Sequence, residues 1–157
     1  MTIIKSPFSV KHMRVVYEPE IMEFRGEKYH YTHIAFRDDE AGEQFTTTES
    51  DMACYNQVTN QYREKHGIPY VDEIIETRKK YGLSASKMSL VLGFGANQYR
   101  LYEDGEVPNE SNGKMIRSAA NPKVFLGLVH SSKHLLSEND YGKTIALVQS
   151  LIDDCSQ

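Results

Sequence analysis

A chain of 157 residues with 18 Lys and Arg against 22 Asp and Glu, a net charge of −4, is too acidic to coat nucleic acid non-specifically, because counterion release from phosphates needs clustered cations. Its 39 % hydrophobic content holds no long apolar run, which speaks against a transmembrane span or a secretory signal and for a soluble, cytoplasmic protein of one good-sized domain or two small ones. The two cysteines, Cys54 and Cys155, form no CxxC pair; a disulfide is not expected in a reducing compartment, and each reads as a small packing residue.

Met1 to about Val10 shows no strong period and reads as a loosely held arm. From Arg14 the pattern turns to β: Arg14–Tyr17, Ile21–Phe24 and Tyr29–Phe36 are rich in β-branched and aromatic residues, with Arg25–Lys28 as the turn between the last two. Arg37–Gly42 reads as the next turn and Glu43–Thr46 as a short returning strand, which gives a small antiparallel meander. His30 and His33 are three apart in a strand and so point to opposite faces, which makes them poor co-ligands; no metal and no cofactor is expected.

Thr47–Asp51 opens a helix, with a hydroxyl cap followed by acids at the positive end of the dipole. Met52, Tyr55, Val58 and Tyr62 form an apolar stripe that would lay this helix over one face of the sheet. The helix should stop near His66-Gly67, before Pro69, and Gly67–Tyr70 reads as a hinge between domains.

The densest information lies in Leu83–Gly105. Ser84 is an N-cap for a helix from about Ala85 to Leu92, with Met88, Val91 and Leu92 at helical spacing. Gly93 and Gly95 bracket Phe94, so the chain can reverse there while one aromatic side chain pins the turn. In the following helix Tyr99 and Tyr102 face inward, leaving Asn97, Gln98 and Leu101 outward and Arg100 towards the edge. This is a helix-turn-helix pattern, whose second helix would meet the major groove.

With the approach Ile74–Ser84, the Gly-Phe-Gly-Ala-Asn turn and Tyr102-Glu103-Asp104-Gly105, Val71–Val129 resembles a lambda-repressor-like (Cro/CI-type) domain, and specifically the C-terminal half of the MqsA (YgiT) antitoxins of bacterial toxin–antitoxin systems. In that family the Asn at the position of Asn97 and an Arg four residues later read bases. Here the second position is Leu101; the neighbouring Arg100 points about a hundred degrees away and suits a phosphate better than the same base. The meander, helix and hinge extend the likeness to roughly residues 10–129. The family's N-terminal domain is built on zinc held by two CxxC pairs, which this sequence lacks, so the resemblance implies a zinc-less N-terminal domain.

Beyond Gly105, Pro108–Ser111 makes a turn and cap before a helix carrying Met115, Ile116, Ala119 and Ala120. Pro122 starts another, with Val124, Phe125, Leu128 and Val129 on its apolar side; in lambda-repressor-like proteins this region commonly forms the two-fold contact. Tyr141, Ile145, Val148, Ile152 and Cys155 then recur at helical spacing, joined by Leu147 and Leu151. That stripe either packs on its own domain or extends a dimer interface. Leu90 and Leu101 both fall on outward faces, where Leu101 could touch a thymine methyl group or the pair could mark a protein-contact surface.

The expected class is α+β: a β-meander plus helix over residues 1–68, a helix-turn-helix domain over 69–131 and a C-terminal helical extension over 132–157. Lys and Arg stand at 8 against 11 Asp and Glu in residues 1–69, 8 against 7 in 70–130 and 2 against 4 in 131–157. The middle segment is thus the least acidic. No Ser/His/acid or Cys/His spacing suggests catalysis, and the Gly93 turn follows a helix, unlike a phosphate loop, so no enzyme is expected. The expected function is that of a dimeric, sequence-specific repressor, an antitoxin and autorepressor of a type II toxin–antitoxin system. Its partners would be operator double-stranded DNA and a second copy, with a toxin held through the N-terminal domain and no membrane. Asn97 and Gln98 would read bases, Arg100 would hold phosphate, and Ala96 and Leu101 would lie in the groove. Lys87 and Arg78–Lys80 are candidate DNA-backbone contacts. The alternative is a helix-turn-helix fold used as a protein-interaction module with little specific DNA binding.

Overall fold

Strand pairing in the N-terminal part begins from a two-residue hairpin turn. Arg25 (φ 50°) and Gly26 (φ 81°) are both left-handed, the conformation that matches a tight turn to the twist of its strands. Glycine takes it freely; the strain at Arg25 is offset by its guanidinium, which lies 5.1 Å from the Phe24 ring centre and 5.2 Å from that of Tyr62. The structure, a computed structural model, describes residues 3–7 and 12–155. Its class is α+β: strands β1 (Ile3–Lys5), β2 (His12–Phe24), β3 (Glu27–Asp38) and β4 (Glu43–Phe45) form one antiparallel sheet in the order β1-β2-β3-β4, and seven helices follow. The chain divides into two compact units, between Tyr62 and Arg63.

Two expectations for the sheet are corrected. Ile3–Lys5, expected within a loose arm, is a strand that pairs with His12–Arg14; of that arm, residues 1, 2 and 8–10 lie outside the described residues. The segments Arg14–Tyr17 and Ile21–Phe24, expected as separate strands, are one strand running through Pro19. Pro19 faces Thr32, whose N–H and C=O both turn away from β2 to the Gln57 side chain, at 2.9 and 2.8 Å. The pair is therefore not a hydrogen-bonded one, and the missing proline N–H removes no ladder bond.

Helix α1 (Thr48–His66) starts on a reciprocal cap, in which Ser50 N–H donates to Thr47 Oγ1 at 3.1 Å and Thr47 N–H to Ser50 Oγ at 2.9 Å. It does not lie squarely over a sheet face as expected. Cys54, Val58 and Tyr62 are buried while Met52 and Tyr55 are exposed, because α1 runs along the free edge of β3. There Gln57 takes both backbone groups of Thr32, Gln61 Nε2 donates to His30 O at 2.9 Å, and Ile34 N–H donates to Cys54 Sγ at 3.4 Å. An exposed strand edge invites foreign pairing; three side chains spaced along one helix close this one. Cys54 is thus the packing residue expected of it.

In the second unit, α2 (Val71–Lys80), α3 (Ala85–Leu92), α4 (Gln98–Glu103), α5 (Glu110–Ala119), α6 (Pro122–Ser131), a 3-10 turn at Lys133–Leu135 and α7 (Glu138–Cys155) surround a single core. Ile74, Met88, Tyr99, Ile116, Phe125, Val129 and Val148 are completely inaccessible. Tyr81 stacks on Phe125 with ring centres 3.8 Å apart, and its hydroxyl donates to Ala119 O at 2.6 Å. The α7 stripe packs on this core through Val148, with Tyr141, Ile145, Leu151 and Ile152 partly buried against it; Leu147 and Cys155 stay exposed. The C-terminal extension thus belongs to the same unit as α2–α6.

The hinge expected at Gly67–Tyr70 is also part of this unit. Ile68 and Pro69 are buried, and a Cβ added at Gly113 on α5 would come 3.1 Å from Ile68 Cγ1. The buried Arg63 donates to Pro69 O at 2.7 Å. Among the described residues no helix is long and apolar enough to cross a membrane.

Gln57→Ala should destabilise the first unit by about 1 kcal/mol, since water can reach the partners it leaves. Hydrogen exchange should show the Thr32 amide losing protection first; unchanged exchange there would show that the edge is closed by something other than Gln57.

Candidate nucleic-acid interface

The α3–α4 pair is formed as the residue pattern requires. Ser84 Oγ accepts from Lys87 N–H at 3.2 Å, and α3 ends at Gly93, whose φ of 78° allows the Phe94 N–H to return to Ser89 O at 2.8 Å. Phe94 sets its ring edge-on to Tyr102, with centres 5.8 Å apart, and so pins the turn. In α4, Tyr99 and Tyr102 are buried. The Tyr99 hydroxyl donates to Ile74 O at 2.5 Å, and burial pushes its pKa well above the usual phenol value. Asn112 Nδ2 donates to the Tyr102 hydroxyl at 2.8 Å.

The angle between α3 and α4 rests on a residue that the pattern did not single out. Ser89 is fully buried and its Oγ accepts the Tyr99 N–H at 3.0 Å. It fills the role of an N-terminal cap from a different helix, because Asn97 at the cap position makes no side-chain cap bond. The available signal was a serine on the inward stripe of α3, between Met88 and Val91. Asn112 and Glu106 carried no signal, since their partners lie 10 and 8 residues away in sequence.

The expected site residues divide into three groups. Ala96, Asn97, Arg100 and Leu101 are exposed, with Leu101 at 39 %; the Asn97 amide makes no hydrogen bond among the described residues, and Arg100 lies 3.8 Å from Asp104. Gln98 is half-buried, with its amide nitrogen donating to Glu106. Lys87 is engaged elsewhere: its ammonium sits 2.9 Å from Asp140 Oδ2 on α7. That hydrogen bond, with one from Ser137 and the charges of Lys87 and Lys143, holds the Asp140 carboxyl below the usual aspartate range.

Two of the other candidate DNA-backbone contacts are likewise occupied. Arg78 forks onto Glu103, at 2.6 and 2.9 Å, and donates to Leu83 O at 3.1 Å; the Glu103 hydrogen bond raises its pKa further. Lys80 Nζ donates to Ala120 O at 2.7 Å. Lys79 stays exposed. Leu90, expected outward, is half-buried. Over residues 63–157 there are 12 Lys and Arg against 12 Asp and Glu, so the whole net charge of −4 belongs to residues 1–62. The chain matches no protein-family model, no curated protein and no solved structure.

Ser89→Ala should cost about 1–3 kcal/mol in urea unfolding, because it leaves the buried Tyr99 N–H without an acceptor; a neutral substitution would mean that α4 is held by its tyrosines alone. A carboxyl whose folded pKa is depressed stabilises the fold above its unfolded value and loses that contribution as pH falls through the folded one. NMR titration should therefore place Asp140 below an ordinary aspartate, and Lys87→Gln should move it upward; an unmoved Asp140 would remove Lys87 as the cause.

Proposed function

We propose that the protein is a sequence-specific DNA-binding regulator that reads its operator with α4 in the major groove, acting as a homodimer in the manner of a lambda-repressor-like domain. One observation carries this reading: α4 buries Tyr99 and Tyr102 while presenting Asn97, Arg100 and Leu101 on its exposed side, with Gln98 half-buried beside them. A six-residue helix held only by its inner face is a poor structural element but a suitable reading head, since its first turn can approach base edges. The Asn97 amide, which makes no hydrogen bond among the described residues, offers the donor–acceptor pair that matches adenine N6 and N7. Leu101 in place of a second polar reader would cover a thymine methyl group, and Arg100 would reach a phosphate.

The likeness to MqsA-type antitoxins makes an autorepressor of a type II toxin–antitoxin system the favoured biological setting, with the N-terminal unit as the toxin-holding part. Closure of the β3 edge by Gln57 and Gln61 directs that role away from strand addition on β3 and towards the exposed side of α1, where Met52 and Tyr55 stand open. A second reading, an interaction module of the same fold, is favoured by the exposed Leu101 and by the internal pairing of Lys87, Arg78 and Lys80.

Fluorescence anisotropy on the DNA upstream of its own coding sequence and on a scrambled duplex, at two salt concentrations, tests the choice. Tight, salt-dependent binding to the upstream duplex alone is expected, and Asn97→Ala should weaken it by about 1–3 kcal/mol with the fold intact. Equal, feeble binding to both duplexes would favour the interaction module.

A further inference from the structure

Packing does not account for one contact of α4. The Gln98 side-chain nitrogen donates to Glu106 Oε2, and Gln98 itself is half-buried. Glu106 is exposed, and its carboxylate bonds no cation among the described residues. An acid so placed beside a DNA-facing helix lowers affinity for phosphate, so its value must lie in what it does to Gln98.

An ionised carboxylate can only accept, so chemistry decides which end of the Gln98 amide faces it. The nitrogen takes Glu106, and the carbonyl oxygen accepts no hydrogen bond among the described residues. Glu106 itself is well held. Its N–H donates to Leu101 O at 3.0 Å, Gly105 O accepts from Arg63 Nη2 at 3.3 Å, and Val107 and Pro108 are buried immediately after it. The Glu106 backbone is therefore held in place beside α4, and its carboxylate takes the Gln98 amide nitrogen.

We propose that Glu106 is a positioning residue that sets base specificity: it locks Gln98 with its carbonyl outward, so that Gln98 accepts from an exocyclic amino group in the major groove. Adenine N6 and cytosine N4 supply such a donor; guanine O6 and thymine O4 would set acceptor against acceptor. Adenine is preferred, because the second Gln98 N–H can reach its N7 beside the N6 donor. The proposal rests on the DNA-binding reading of α4 and adds to it the class of base that Gln98 selects.

The test starts with the full chain and a pool of duplexes randomised over about 20 base pairs, long enough for two half-sites one turn apart. Single-substitution titrations of the selected duplex follow for wild type, Glu106→Gln, Gln98→Ala and the double variant. Wild type should favour an amino-bearing over a keto base at one position of each half-site by about tenfold or more. Glu106→Gln is isosteric and lies on an exposed loop, and its amide can turn either end to Gln98. Discrimination at that position should fall to about twofold or less, with preferences elsewhere kept and overall affinity raised. Gln98→Ala should erase the preference at the same position, and adding Glu106→Gln to it should change nothing further there. A Glu106→Gln protein that keeps the wild-type preference overturns the proposal while leaving DNA reading by α4 intact. A wild-type chain that enriches no duplex over the starting pool overturns the DNA reading and this proposal with it.

Discussion

A helix of six residues cannot satisfy its own backbone. Four N–H groups at its start and four C=O groups at its end lack partners within it, so α4, from Gln98 to Glu103, is nearly all ends. The same shortage affects the other short helices of the second unit, and side chains from other elements supply several of the missing partners. Ser89 takes the Tyr99 N–H; the Tyr81 hydroxyl takes Ala119 O; Ser132 takes Val91 O. Each lies where water does not reach, so leaving one unmade costs about 1–3 kcal/mol, a large part of the stability of a domain this size. The first unit meets the same requirement at its sheet edge with Gln57. Apolar burial holds the elements together, and these directed bonds choose the angles at which they meet.

This requirement also shapes the charge of the candidate interface. Arg63, Arg78 and Lys80 end on backbone carbonyls, and Arg78 and Lys87 also hold carboxylates. Of these, Arg78, Lys80 and Lys87, which a sequence reading assigns to the DNA backbone, are thus engaged in fastening helices. With no net charge over residues 63–157, long-range attraction to DNA contributes little, and the proposed affinity must come from base-edge contacts and from two copies acting together. Arg100 and Lys79 remain exposed.

Local chemistry was legible in the sequence, and long-range partnership was not. Ser84, Gly93 and the Tyr99–Tyr102 spacing act through neighbours within a turn or two, so they define α3 and α4 before any fold is known. The unbroken course of β2 through Pro19 depends on the register set at the Arg25-Gly26 turn, which places Pro19 opposite Thr32 in a non-hydrogen-bonded pair, and the residues next to Pro19 do not show that register. The apolar stripe of α1 was misplaced for the same reason. Met52 and Tyr55 fit a helix lying on a face, whereas Cys54, Gln57 and Gln61 fit one lying along an edge, and only the position of β3 decides between them. At the candidate site, exposure of Asn97 and Leu101 follows from the inward tyrosines, but the pairing of Lys87 with Asp140 needs α7 to fold back.

Two neighbouring amides at the start of α4 therefore enter recognition under different terms. The Asn97 side-chain amide makes no hydrogen bond among the described residues, so its orientation is fixed only when a partner fixes it, and the rotamer entropy lost then counts against affinity. Gln98 is already held by Glu106 and loses little on binding, but it must present one fixed edge to any partner. Pre-orientation strengthens a matching contact and makes a mismatched one worse, since the amide cannot turn over without breaking a bond to a charged acceptor. On the DNA-binding reading, adaptable affinity belongs to Asn97 and discrimination to Gln98. An acidic residue beside the DNA, unfavourable for attraction, is then favourable for choice.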